Sequence, residues 1–97
     1  RATDARTIAI RMLNNIRTIY LIKEDWPALW PVQHRLTALQ PASYEQRRNL
    51  AVIAMKTDHA GMAIDLFESI LKTSPAEDRP HIEVQLEHAR GRVAHWN

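Results

Sequence analysis

Thirty-four residues separate Leu29 from Ala63, Gln33 from Phe67, Leu36 from Ile70, Pro41 from Pro75, and Ile16 from Leu50. A repeat of that length is one supersecondary unit, and such a unit cannot bury its apolar face alone, so successive copies must stack. Within each copy the apolar residues follow helical spacing. Met12, Leu13, Ile16, Ile19 and Tyr20 fall at i, i+1, i+4, i+7 and i+8, and Ala63, Ile64, Phe67, Ile70 and Leu71 repeat the pattern.

Punctuation agrees with a pair of helices per copy. Asp25, Ser43 and either Thr57 or Asp58 stand where N-caps are wanted, and Pro41 and Pro75 follow apolar stretches that must end. The spacing predicts five helices, at about 4–23, 26–39, 43–57, 60–73 and 79–95, and no strand. Ile82, Leu86, Ala89, Val93 and Trp96 form a narrow stripe on the last helix, which abandons the repeat step and therefore reads as a cap. Pro31 requires the second helix either to begin late or to bend, because proline past the first turn removes a hydrogen bond.

The 97 residues fit one domain: a first repeat at about 10–43, a second at about 44–77 and a capping helix at about 78–97. With 45% apolar and 25% charged residues, disorder and low complexity are excluded, and no apolar run approaches the roughly 20 residues of a spanning helix. Thirteen basic against eleven acidic residues leave a net charge of +2, too little to argue for nucleic acid or an anionic membrane. The uneven part is residues 1–23, where Arg1, Arg6, Arg11, Arg17 and Lys23 face only Asp4. The absence of cysteine removes disulfides and thiolate chemistry and fits a reducing, cytoplasmic setting. The start at Arg1 is expected of a fragment of a longer protein.

These residues resemble the tetratricopeptide repeat, whose pattern W-x2-L-G-x2-Y, A-x3-F and P recurs with the same period. The second copy offers Arg47, Leu50, Ala51 and Ala54, then Ala63 and Phe67, then Pro75; the first offers Leu13, Ile16, Arg17 and Tyr20, then Leu29 and Gln33, then Pro41. The first copy departs at Arg17, where the family has a small residue, and at Gln33, where it has an aromatic, which implies looser packing there. The resemblance implies an all-α, right-handed α-α superhelix of two helix pairs plus the capping helix. The stretch RMLNNIRTIYL at 11–21, followed by Asp25-Trp26, is also similar to the C-terminal repeat domain of bacterial SirB-type transglutaminase-like proteins. That likeness implies a catalytic domain upstream, with no catalytic residue in this chain.

In the repeat family the first helix of each pair lines a concave groove. The resemblance then places Arg11, Asn14, Thr18 and Ile22 there with Glu45, Arg48, Val52 and Met55. Guanidinium, amide and thioether groups suit an extended or helical peptide, and Arg48 is able to grip a carboxylate in two parallel hydrogen bonds. Some members hold a peptide's terminal carboxylate through lysine and asparagine on the first helix; here those places are Asn14 and Thr18, which does not suit that clamp. A groove of two repeats is short, so micromolar affinity or help from a neighbouring domain is expected.

Chemical alternatives fare poorly on the residues. His81, His88 and His95 recur at i, i+7 and i+14, rising about 10.5 Å per step, too far apart to share one Zn²⁺. Ser43, Ser69 and Ser74 each have a cap, helix-face or turn explanation, Glu83 and Glu87 are i and i+4 neighbours with Arg90 three beyond Glu87 to pair with it, and Gly61 and Gly91 are isolated rather than part of a phosphate loop. No metal, cofactor or catalytic site is expected. Trp26 is expected to pack between paired helices, Trp30 to share that packing, and Trp96 to close the cap or dock to another surface. Ile8, Ile10, Leu21 and Ile22 make the first helix apolar beyond its main stripe, so a further surface is expected to cover it. The function expected is that of an interaction module for a peptide, a protein partner or an upstream domain. The alternative is structural docking or homodimerisation through the first and last helices.

Overall fold

The computed structural model describes residues 4–96, with side chains through Ala94. Arg1 and the side chains of His95 and Trp96 lie outside the described residues. Five helices follow in series: α1 (Ala5–Ile22), α2 (Trp26–Leu39), α3 (Tyr44–Lys56), α4 (Ala60–Leu71) and α5 (Arg79–Trp96), with a 3-10 turn at Ala76–Asp78 before the last. No strand occurs among the described residues. Each helix packs chiefly on the next in sequence, giving a body 51 × 29 × 20 Å across. None of these helices is long and apolar enough to cross a membrane.

Local chemistry sets the helix ends. The Asp4 carboxylate accepts from the Thr7 amide at 2.7 Å, Asp25 from Ala28 at 3.3 Å and the Ser43 hydroxyl from Gln46 at 3.2 Å, each satisfying an orphan amide of a first turn. α4 is different. Its cap position is His59, without a side-chain bond, rather than Thr57 or Asp58. The Thr57 hydroxyl instead donates to the Ile53 carbonyl at 2.8 Å, and Asp58 has a φ of 63° as the chain leaves α3.

That turn is a copy of the one after α1. Glu24, with a φ of 52°, stands one full repeat before Asp58. The Asp25 amide donates to the Tyr20 carbonyl at 2.9 Å, and at the matching place in the second copy the His59 amide donates to the Ala54 carbonyl at 2.8 Å. Both are left-handed closures in which a backbone bond seals the last turn. The sequence period is thus present in the backbone itself.

The core repeats likewise. Leu29 and Ala63, Gln33 and Phe67, and Leu36 and Ile70 are all completely buried. Ala51, Ala54, Ala63 and Ala89 keep crossings short, so that Phe67, Ile70, Ile82 and Leu86 interlock among α3, α4 and α5. α2 runs unbroken through Pro31 from its capped start at Asp25. Pro31 and Pro27, whose carbonyl loses the Pro31 donor, are both exposed residues.

The expected loosening of the first repeat falls on α1, not on Gln33. Gln33 Oε1 accepts from Arg17 Nε at 2.8 Å, and its Nε2 donates to Gln46 Oε1 at 2.7 Å. The two departures from the repeat pattern therefore satisfy one another: a buried amide replaces the aromatic, and the long guanidinium reaches in to cap it. α1 itself contributes no buried residue.

Candidate partner-binding groove

The odd-numbered helices α1, α3 and α5 face a common trough with two adjoining hollows. One, of about 310 Å³, lies between α3 and α5 over Val52, Met55 and Lys56 on one side and Val84, His88 and Arg92 on the other. The second, of about 210 Å³, is bounded by Arg17 and Leu21 of α1, Trp26 at the start of α2, Arg48 and Asn49 of α3, and His81 of α5. Val52 and Gln85 line both, so the hollows form one continuous surface.

The floor is apolar and the rim is cationic. Val52, Met55, Val84 and Leu21 supply hydrocarbon, while Arg17, Arg48, Lys56 and Arg92 supply fixed positive charge. Among the described residues, no aspartate or glutamate lines either hollow. Secondary contacts hold these cations in place. Arg92 donates to Asp58 Oδ1 at 2.6 Å and to the Met55 carbonyl at 2.9 Å, tying α5 to the end of α3. The Lys56 ammonium sits 5.3 Å from the centre of the Trp26 ring, and the Arg48 guanidinium 6.0 Å from that of Tyr44. Tyr44 in turn donates to Asp78 Oδ2 at 3.0 Å. Burial, reinforced by that hydrogen bond and the Asp78 charge, pushes the Tyr44 phenol above its usual value.

Of the residues expected in the groove, Arg48 and Val52 line the second hollow, and Val52 and Met55 the first. Arg11, Asn14, Thr18, Ile22 and Glu45 are exposed and line neither. α1 presents Arg17 and Leu21 instead; Arg17 occupies the place matching buried Ala51, and its half-buried side chain both reaches Gln33 and borders the second hollow. The Thr18 hydroxyl is turned back onto its own helix, donating to the Asn14 carbonyl at 3.0 Å.

Sequence reasoning missed the α5 contribution. His81, Gln85, His88 and Arg92 recur at i, i+4, i+7 and i+11, a second face beside the apolar stripe, and that spacing was the available signal. Trp26 has the mixed role of half-buried wall and groove lining. Trp30 packs against the core and stacks on the His59 ring with centroids 4.3 Å apart and planes at 10°, holding the α3–α4 turn against α2. No group of three histidine, cysteine, aspartate or glutamate side chains able to hold a metal ion occurs among the described residues. No protein-family profile matches the chain, and no curated protein or solved structure is significantly similar to it.

Proposed function

We propose that this chain is a protein-interaction module, a short right-handed superhelix of tetratricopeptide type that holds a partner segment in the trough of α1, α3 and α5. The recurrence of the turn geometry at the period of the sequence supports the repeat reading. The observation that carries the function is the lining: an apolar floor bordered by Arg17, Arg48 and Lys56, with Arg92 beside them paired to Asp58, and no carboxylate among the described residues that line either hollow. Such a surface favours a segment that alternates apolar side chains with aspartate or glutamate. Val52 and Met55 provide the apolar anchors, and Arg48 orients the acid through charge-assisted hydrogen bonds. The role is binding rather than catalysis.

Fluorescence anisotropy with an acidic, leucine-containing peptide and its glutamine isostere tests this reading. The expected dissociation constant for the acidic peptide is in the micromolar range, roughly tenfold weaker for the isostere and for Arg48→Ala, and weaker again as salt rises. Equal binding of both peptides, or full affinity in Arg48→Ala and Met55→Ala proteins of unchanged circular dichroism, removes the trough as the binding surface.

A further inference from the structure

Apart from the trough, the back of α1 is a surface that the proposed function leaves unexplained. Six of the eight large hydrophobic side chains exposed among the described residues belong to this helix. Ile8, Met12, Ile16 and Ile19 follow one another at i, i+4, i+8 and i+11 and are 44%, 58%, 37% and 51% exposed. They form one straight stripe on the side away from Leu21, which faces the trough. A helix apolar toward both its neighbour and the solvent is expected to be covered on both sides. Between this stripe and the end of α2 lies a further hollow of about 520 Å³, walled by Met12, Ile16, Ala38 and Leu39, with Arg35 at its edge. Arg6 donates to the Leu39 carbonyl and fixes the start of α1 beside this shelf.

We propose that the back of α1 pairs with the same face of a second copy, the two helices running antiparallel about a two-fold axis that passes between Leu13 and Asn14. The exposed residues themselves set the register. An axis at that point sets Ile8 opposite Ile19, and the same axis sets Asp4 opposite Lys23, since both pairs are centred on it. Met12 and Ile16 then meet their counterparts diagonally near the centre, over the shelf of Ala38 and Leu39. Each end of the contact thus places a carboxylate at one helix N-terminus against an ammonium at the other's C-terminus, and the two helix dipoles oppose. A parallel pair sets Asp4 against Asp4 and Lys23 against Lys23 and is disfavoured on charge. With α1 only about 27 Å long for its 18 residues, the contact is small and its dimer is concentration-dependent. This surface is separate from the peptide trough, so either is able to work without the other.

The absence of cysteine allows a direct reading of the register. Light scattering across a concentration series is expected to give a mass that rises from monomer to dimer, and Ile16→Glu, at an exposed site near the axis, is expected to weaken association about a hundredfold because the charge is introduced twice. Circular dichroism of the Ile16→Glu protein confirms that the helices persist. In oxidised mixtures, Ile8→Cys protein is expected to cross-link to Ile19→Cys protein, while neither links to itself. Self-linking of Ile8→Cys overturns the antiparallel register. A constant monomer mass up to roughly millimolar concentration overturns the dimer and leaves the stripe to a different occupant.

Discussion

α1 and α5 are both 18 residues long, and each has a neighbour on only one flank of the series. They finish the molecule in opposite ways. α5 lays Ile82, Leu86 and Ala89 into the core and turns Glu83, Glu87 and Arg90 outward, with Arg90 paired to Glu68 at 2.8 Å. α1 buries nothing completely and turns hydrocarbon outward. A stack needs a polar outer face at each end to remain solitary, and only the α5 end has one. The lesson is that position at the end of a stack does not make a helix a cap; the chemistry of its outer face does.

The contrast breaks most visibly under truncation. Leu86→Ala is expected to cost about 2–5 kcal/mol, because Leu86 is nearly inaccessible and the removed atoms leave a cavity among α3, α4 and α5. Ile16→Ala, measured by urea unfolding at a concentration where the chain is monomeric, is expected to cost less than about 1 kcal/mol, since its side chain already meets water. Equal losses at the two positions mean that α1 is as deeply integrated as α5, and the comparison fails.

A smaller effect sharpens what does hold α1 in place. Arg17 reaches from α1 to the buried amide of Gln33, and Gln33 also engages Gln46 and Thr37. Arg17→Ala and Gln33→Leu are each expected to destabilise by about 1–3 kcal/mol, the first by stranding an acceptor and the second by stranding its partners. In a double-mutant cycle the two losses are expected to overlap by about 0.5 kcal/mol or more. Strict additivity indicates that α1 is held by hydrocarbon contact alone.

Much of this fold is legible in the residues, for a definite reason. Leu29 with Ala63 and Leu36 with Ile70 repeat in sequence because they occupy matching core places, so periodicity and burial are one signal. The cap of α4 is not legible, because a left-handed Asp58 and a backbone bond from His59 close that turn, and neither leaves a side-chain signature. The trough is legible on α3, at Arg48, Val52 and Met55, where the helix sits between two neighbours that fix its rotation. It is obscured on α1, where a single long side chain, Arg17, takes a place that a small residue holds in the next repeat. On α5 the stronger stripe of Ile82 and Leu86 masks the weaker face of His81, His88 and Arg92 beside it.

The smallest expected effect separates the two halves of the chain by pH. Hydrogen bonds from Thr7, with a lesser contribution from the nearby Arg6 charge, hold the Asp4 carboxyl below its usual 3.8. A depressed carboxylate stabilises the fold above the unfolded value and loses that contribution as pH falls through the folded one, so the first turn of α1 is expected to fray below about pH 3.8. Tyr44 is displaced the other way, above 10.0, by burial and by its bond to Asp78. Its contribution is complete below pH 10.0 and is lost as pH rises through the folded value, loosening the link between α3 and the 3-10 turn that leads into α5. Amide hydrogen exchange followed by nuclear magnetic resonance checks both, with protection at Thr7 and Ile8 declining first in acid and protection around Asp78 and Arg79 declining first in alkali. Simultaneous loss at both places in either direction shows one cooperative unit rather than two ends that open separately.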